Sequence, residues 1–121
     1  MDKWTVIHSF WNSHGLPAYD ENTVPDDAEM PYITYEARTG SIGDAVTLSA
    51  SLWYHSMSWE AISKKSEEIG DAIVRMSPPS IAIDGGRAYI SKATPFARRM
   101  DDPDGSIRRI IMNVNVEFFT N

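Results

Sequence analysis

Alternating apolar and polar side chains predict two long β-strands. Residues 45–55 (AVTLSASLWYH) and 107–119 (IRRIIMNVNVEFF) both follow the two-residue period of a strand buried on one face. The apolar faces carry Val46, Leu48, Ala50, Leu52 and Tyr54 in the first strand and Ile110, Met112, Val114, Val116 and Phe118 in the second. The opposite faces carry Thr47, Ser49, Ser51, Trp53 and His55, and Arg109, Ile111, Asn113, Asn115 and Glu117. We therefore expect one face of each strand in the core.

Shorter patterns predict further strands. PYITYEA at 31–37 alternates in the same way, and we expect it to pair antiparallel with 45–55 across the RTGSIGD loop at 38–44. SIAIDGGRAYI at 80–90 predicts a hairpin that turns at Asp84, Gly85 and Gly86. The DDPDGS turn then leads into the long last strand.

Helical spacing appears in two segments. In the first, about residues 2–13, the apolar stripe consists of Trp4, Ile7 and Trp11, widened by Val6 and Phe10, and Gly15 supplies a stop. In the second, Ser58 is a good N-cap, and Ser77, Pro78 and Pro79 end the helix. Its apolar positions are Ile62, Ile69, Ile73 and Met76. Residues 15–31 contain three prolines and no sustained period, so we expect an extended loop there.

The order of elements predicts an α+β fold. A helix, two strands, a second helix, a hairpin and a long last strand indicate a mainly antiparallel sheet of about four to five strands, with two helices packed on one face. A chain of 121 residues, 42% hydrophobic and 23% charged, fits a single globular domain over residues 1–121. No apolar run reaches the length of a transmembrane helix, and the first residues do not form a signal peptide. We therefore expect a soluble protein, cytosolic where it is made, with no membrane partner.

Charge and cysteine content narrow the possible functions. The chain has no cysteine, which excludes disulfides, thiolate nucleophiles and cysteine-based metal sites. Its net charge of -6 argues against a general affinity for nucleic acid. An early acidic stretch contains Asp20, Glu21, Asp26, Asp27 and Glu29, and a late loop is flanked by Arg98, Arg99, Arg108 and Arg109. This separation suits subunits that meet head to tail, and a solvated acidic loop is the simpler alternative.

No motif in the chain predicts catalysis, a metal site or a cofactor. No serine lies in a G-x-S-x-G elbow, and the glycine-rich spots lack a phosphate-binding pattern. His8, His14 and His55 are scattered over different elements. DDPDG fails as a calcium loop because Met100 stands where an oxygen ligand is required. We expect a protein that is not an enzyme and has no cofactor.

The aromatic stretch SLWYHSMSWEA at 51–61 has a structural interpretation. Tyr54 points into the core by alternation, and Trp59 begins the second helix, where its indole can cover the edge of the core. Trp53 lies instead on the hydroxyl-rich face with Thr47 and Ser49. That face is either bare to water or covered by another molecule, and its mixed composition favours partner binding over chemistry.

The element order resembles that of tail terminator, or tail-completion, proteins of long-tailed bacteriophages. The resemblance rests on the aromatic first helix, the LP-x-Y loop, PYITYE, the small-residue strand, SWEAISKKSEEIGDAI and RRIIMNVNVEFF. It implies a ring, hexameric in that family, that caps the tail tube, stops its growth and joins it to the head connector. The implied partners are copies of itself, the major tail tube protein and the connector, and the implied location is the virion tail after assembly in the host cytoplasm.

The resemblance directs attention to the N-terminal helix, the loop from Arg38 to Asp44 and the loop from Ala97 to Ser106 as contacts between subunits or with the tube. With Trp53 and the acidic stretch, the candidate interface residues are Trp53, Arg38, Asp44, Arg98, Arg99, Asp102, Asp104, Arg108, Asp26 and Asp27. The alternatives are a small ferredoxin-like enzyme or ligand-binding protein, another head–tail joining or tube protein, and an adaptor domain outside any virus.

Overall fold

A computed structural model describes residues 1–76 and 79–120 of the chain. The helices are α1 (Lys3–Trp11) and α2 (Glu60–Val74). The strands are β1 (Ala18–Asp20), β2 (Tyr32–Tyr35), β3 (Ala45–His55), β4 (Ser80–Ile83), β5 (Gly86–Met100) and β6 (Ile107–Thr120).

The described strands form one curled, mixed sheet in the order β1-β2-β3-β6-β5-β4. The α+β class and the two helices are as expected. The expected number of strands was too low, because β1 is a sixth strand. It pairs parallel with β2, whereas the other neighbouring strands of the sheet are antiparallel. β1 has three residues within a proline-rich segment, too few to show an alternating period.

The centre of the sheet is the pair formed by β3 and β6. β3 has the predicted bounds, and its register sets Leu48 opposite Val114 and Leu52 opposite Ile110. These side chains are buried. The predicted pairing of β2 with β3 is also confirmed, with Ile33 opposite Leu52. The core therefore lies on the face that alternation predicted.

Both helices contribute buried side chains to the same hydrophobic cluster as this sheet face. The contributors are Val6, Ile7, Phe10 and Trp11 from α1 and Ile62, Ile69 and Ile73 from α2. α1 contacts β1 and β2 near one edge of the sheet and β4 at the other. Its start is fixed to the β4–β5 turn, where the amide of Asp84 donates to the Met1 carbonyl at 2.7 Å.

The predicted apolar stripe of α1 is wrong at one position. Trp4 is 57% exposed, whereas Val6 and Phe10 are buried. An α-helix has 3.6 residues per turn, so Val6, Ile7, Phe10 and Trp11 form one stripe along α1. Position 4 lies at the edge of that stripe. The indole of Trp4 therefore faces away from the core.

β5 is longer than expected. The predicted loop from Ala97 to Ser106 begins only at Asp101, because Ala97 to Met100 pair with β6. Pro95 breaks the alternation in this segment, and the register with β6 shifts between Lys92 and Ala97. β5 therefore continues past Pro95, although proline is uncommon inside a strand.

The predicted N-cap of α2 is wrong by one residue, and the predicted β4–β5 hairpin is confirmed. α2 begins one residue later than proposed, with Trp59 at the N-cap, yet the hydroxyl of Ser58 accepts the Glu60 amide at 3.1 Å. The predicted helix, with Met76 in its apolar stripe, was too long, because α2 ends at Val74 with Arg75 as the C-cap. The predicted stop signals Ser77 and Pro78 lie outside the described residues. The hairpin turns at Asp84 and Gly85 as expected, whereas Gly86, also predicted in the turn, is the first residue of β5 and pairs with Ile83.

Candidate functional site

The side of the sheet opposite the core is polar and partly exposed. We call it the outer face and define it by Thr47, Ser49 and Trp53 of β3 and by Arg109, Ile111, Asn113 and Asn115 of β6. The hydroxyl of Thr47 donates to Oδ1 of Asn115 at 2.9 Å, and that of Ser49 donates to Oδ1 of Asn113 at 2.7 Å. These cross-strand bonds hold the side chains in fixed positions.

Trp53 is held on the outer face by contacts within the chain. Its Nε1 donates to Oγ1 of Thr34 at 2.9 Å, and the guanidinium carbon of Arg109 lies 4.7 Å from its ring centroid. Arg109 in turn donates through Nε to the hydroxyl of Ser51 at 3.0 Å. Trp53 is therefore half-buried, and the residue that covers it is Arg109 of the same chain.

Trp59 takes part in a second arginine contact. The guanidinium carbons of Arg99 and Arg108 lie 4.8 and 5.2 Å from its ring centroid. Arg99 also donates to the hydroxyl of Ser63 at 3.3 Å, and Arg108 donates to the Met57 carbonyl at 2.7 Å. Trp59 packs against the core, so its expected role at the core edge agrees with the structure.

The sheet separates the two tryptophans. Arg109 follows Arg108 in β6, so the two side chains point to opposite faces of the sheet. Trp53 lies with Arg109 on the outer face, and Trp59 lies with Arg108 on the side that carries α2. The aromatic stretch at 51–61 therefore does not converge on one pocket.

Arg38 and Asp44 lie in the predicted loop before β3, and each contacts its own surroundings. Arg38 donates to the Thr47 carbonyl and lies 3.5 Å from the carboxylate of Glu36, while remaining 58% exposed. The carboxylate of Asp44 accepts the Ser41 amide at 3.1 Å. Both residues shape the loop and leave part of their side chains open to solvent.

Asp102 and Asp104 organise the turn between β5 and β6. Oδ1 of Asp102 accepts the amide of Asp104 at 2.9 Å, and Oδ1 of Asp104 accepts the amide and hydroxyl of Ser106 at 2.9 and 2.6 Å. The bonds from the Ser106 hydroxyl and amide lower the pKa of Asp104 below its ordinary value of 3.8. These carboxylates therefore stabilise the turn between β5 and β6.

Other candidates remain open to solvent. Asp26 and Asp27 are exposed, and within residues 1–76 and 79–120 their carboxylates form no ion pair. Arg98 is exposed on β5, opposite Ile111. The structure therefore brings together Arg99 and Arg108, keeps Trp53 on the other face, and leaves Asp26 and Asp27 in the loop that joins β1 to β2.

Sequence reasoning missed an exposed aromatic pair. Tyr89 and Phe119 are 41% and 40% exposed, and their ring centroids lie 5.3 Å apart in an edge-to-face arrangement. Beside them is an open groove of about 500 Å³, lined partly by Ser91, Asn115 and Glu117. Phe119 is two positions after Glu117, so the alternation of β6 puts its side chain on the polar face. That placement could have predicted an exposed aromatic side chain.

The histidines do not form a common site. His8 is hydrogen-bonded through Nδ1 to the hydroxyl of Tyr35 at 2.9 Å, and His55 is exposed at the end of β3. Burial lowers the pKa of His14 below its ordinary value of 6.5, and the neighbouring Lys65 ammonium acts in the same direction. In the part of the chain that the structure covers, no three histidine or carboxylate side chains group as metal ligands.

The comparisons with known proteins add no family. No family model matches the chain, and a search of curated proteins finds no significant match. Among the described residues, no helix has the length and apolar character needed to cross a membrane.

Proposed function

We propose that this chain is a structural virion assembly protein that caps a phage tail tube as an oligomeric ring and joins it to the head connector. Its partners in this role are copies of itself, the major tail tube protein and the connector, in the virion tail and in the host cytoplasm during assembly. The single observation that carries the proposal is the partly exposed outer face, whose polar side chains are held in place by cross-strand hydrogen bonds.

The outer face has the character of a protein interface. Its cross-strand bonds fix Thr47, Ser49, Asn113 and Asn115 before any partner arrives, so binding restricts few additional side-chain rotamers. The exposed pair of Tyr89 and Phe119 continues the same surface, and aromatic residues are enriched where proteins meet. A mixed polar and aromatic face of this kind suits a stacking contact between subunits or with a tube end.

The exposed indole of Trp4 supports a contact through α1 as well. Trp4 is 57% exposed and lies outside the buried core, and tryptophan is a frequent anchor in interfaces. α1 and the outer face lie on different sides of the sheet. A ring subunit needs separate surfaces for its neighbours and for the tube, and this arrangement provides them.

The test is binding to tube ends. Tubes assembled from the major tail tube protein encoded near this chain are mixed with the purified protein and imaged by electron microscopy, while light scattering measures its mass. We expect density at tube ends, a multimeric mass and an end to tube growth. A protein that stays monomeric and never binds a tube end would contradict the function.

A pair of matched variants tests the outer face. Asn115→Arg places a long cation on an exposed position of the outer face, and Val74→Arg places the same side chain on an exposed position of α2. We expect loss of capping only for Asn115→Arg. Normal capping by Asn115→Arg would move the tube contact to another surface, whereas growth of the protein itself into tubes would favour the alternative of a tube subunit.

The alternative of an enzyme or ligand-binding protein would be supported if the aromatic residues at 51–61 lined one pocket. Trp53 and Trp59 lie on opposite sides of the sheet, so that support is lost. No specific observation favours this second function.

A further inference from the structure

Two hollows at one end of the outer face share Tyr89 and Glu117. Each has a volume of about 500 Å³, and Phe119 completes the lining of the second. The lining of the first is completed by the uncharged residues Ala45, Pro79, Ile90, Ser91 and Asn115. We call the two hollows together the aromatic groove. Among the residues that line it, Glu117 is the only one with a charged side chain.

The strand register brings the two rings and the carboxylate together. Tyr89 of β5 lies directly opposite Glu117 of β6, and Phe119 is the next residue of β6 on the same face. The two rings are perpendicular, with an interplanar angle of 87°, and both are partly exposed. Because the face of an aromatic ring carries partial negative charge, the rings and the carboxylate all attract a cation.

The carboxylate of Glu117 is exposed and available. The ion pairs formed by residues 1–76 and 79–120 do not include it. Arg87 precedes Tyr89 by two positions in β5, but its Nε donates to the hydroxyl of Ser80 at 2.7 Å and its Nη2 to the Ser80 carbonyl at 3.4 Å. The nearest cation of the strand is therefore committed to β4.

This set of groups matches an arginine side chain. A guanidinium is planar and stacks on an aromatic ring, and it can donate two parallel hydrogen bonds to a carboxylate. It is also more weakly hydrated than a lysine ammonium, so it enters a partly apolar groove more readily. Pro79 and Ala45 offer an apolar surface for the methylene stem.

We propose that the aromatic groove binds an arginine side chain of a partner protein. The inference names the chemistry of the group that meets this end of the outer face. It rests on the proposed function for the identity of that partner, the major tail tube protein. The guanidinium stacks on an exposed ring and donates to the carboxylate of Glu117, which fixes the partner's position on the sheet.

The first test uses a blocked peptide with a single arginine between glycines. Two-dimensional NMR follows the backbone amides of the wild-type protein as the peptide is added. We expect saturable shifts centred on Tyr89, Glu117 and Phe119, and no such shifts from the same peptide with citrulline, the neutral isostere of arginine. Equal effects of the two peptides, or no saturable shift from either, would overturn the inference.

A variant of Glu117 tests the role of its charge. Glu117→Gln alters an exposed side chain and keeps its shape, so the fold is spared. We expect the arginine peptide to bind this variant about threefold or more weakly than the wild type. Glu67→Gln changes the net charge equally at an exposed position of α2, and we expect native affinity from it. Equal losses in both variants would show a general attraction between the acidic chain and a cation, and would contradict a site.

A second variant tests the rings. The double variant Tyr89→Leu, Phe119→Leu keeps apolar side chains and removes both aromatic faces, and we expect about threefold or more weaker binding of the arginine peptide. Trp4→Leu removes an exposed ring from α1 and is expected to bind like the wild type. Native affinity in the double variant would exclude the rings from the site and overturn the inference.

Tube binding separates this inference from the proposed function. We expect Glu117→Gln to bind tube ends more weakly than Glu67→Gln does. If the two variants cap tubes equally well, the arginine does not come from the tube, and this inference fails while the proposed function stands. If the wild type binds the peptide but ignores tube ends, the proposed function fails while the arginine site remains. Self-association that Glu117→Gln abolishes would assign the groove to a second copy and overturn the choice of partner.

Discussion

Arg109 lies over the indole of Trp53, with 4.7 Å between the guanidinium carbon and the ring centroid. The same side chain donates to the hydroxyl of Ser51. We expect Arg109→Ala to lower the free energy of unfolding by about 1–2 kcal/mol, through loss of the cation–π contact and the hydrogen bond. Urea denaturation followed by circular dichroism measures it.

Arg98 provides the matched control for that prediction. It is exposed and forms no ion pair within the described residues, so Arg98→Ala should change the free energy of unfolding by no more than about 0.5 kcal/mol. Equal losses in the two variants would show that the contact with Trp53 contributes nothing to stability.

The alternation of β6 makes a second prediction about stability. Met112 is fully buried, whereas its neighbour Ile111 lies half-buried on the outer face. We expect Met112→Ala to cost about 2–5 kcal/mol through lost burial and a cavity. Ile111→Ala should cost about 1 kcal/mol or less, measured by the same denaturation. A larger loss for Ile111→Ala than for Met112→Ala would contradict the assignment of Met112 to the core face of the sheet.

Gly86 allows no side chain. A Cβ at this position would lie 1.8 Å from the carbonyl oxygen of Phe119, whereas one at Gly85 meets open space. Gly85 has a φ of +80°, so Gly85→Ala carries a backbone cost of about 1 kcal/mol. We expect Gly86→Ala to cost more than about 3 kcal/mol, because backbone atoms must move apart.

Thermal unfolding of the two glycine variants decides the matter. A larger drop in Tm for Gly86→Ala than for Gly85→Ala is the expected order. Similar values would mean that β5 and β6 separate at this end without cost, and would contradict the pairing of Gly86 with Thr120.

His14 makes stability depend on pH. Burial holds its pKa in the folded state below 6.5, so at intermediate pH the unfolded chain binds more protons than the folded one. The contribution of His14 is fully present above about pH 6.5 and is lost as the pH falls from there toward the lower pKa of the folded state. Lys65 strengthens this dependence and Glu68 opposes it.

The variant His14→Phe isolates that effect. Phenylalanine keeps an aromatic ring against Phe10, whose centroid lies 5.1 Å from that of His14, but it cannot titrate. We expect the fall in unfolding free energy between about pH 7.5 and about pH 5.5 to be smaller in the variant. An unchanged slope would assign the pH dependence to other groups.

Much of the sheet follows from the alternation of side chains alone. β3 and β6 each keep a strict two-residue period over more than ten residues, so their faces and nearly all of their bounds could be predicted. β1 is too short for such a signal, and Pro95 hides the second half of β5. The exposure of Trp4 could not be predicted, because the residues of α1 form two overlapping apolar stripes, one with Trp4 and one with Val6 and Phe10.

The arginine–tryptophan contacts could not be predicted in the same way. Alternation placed Trp53 on the outer face, but its contact with Arg109 also requires the register of β3 with β6. The contact of Arg108 with Trp59 depends further on how α2 leaves β3 and folds back across the sheet. The partners in these contacts are 56 and 49 positions apart in the chain, so they leave no local pattern.

The contact of α1 with β4 also affects how the protein is made. The hydrogen bond between Asp84 and Met1 joins positions that are 83 residues apart, and α1 leaves the ribosome long before β4 does. Throughout that interval the apolar side of the nascent helix lacks its contact with β4 and stays partly exposed. The packing of α1 is therefore completed only after β4 has been synthesised.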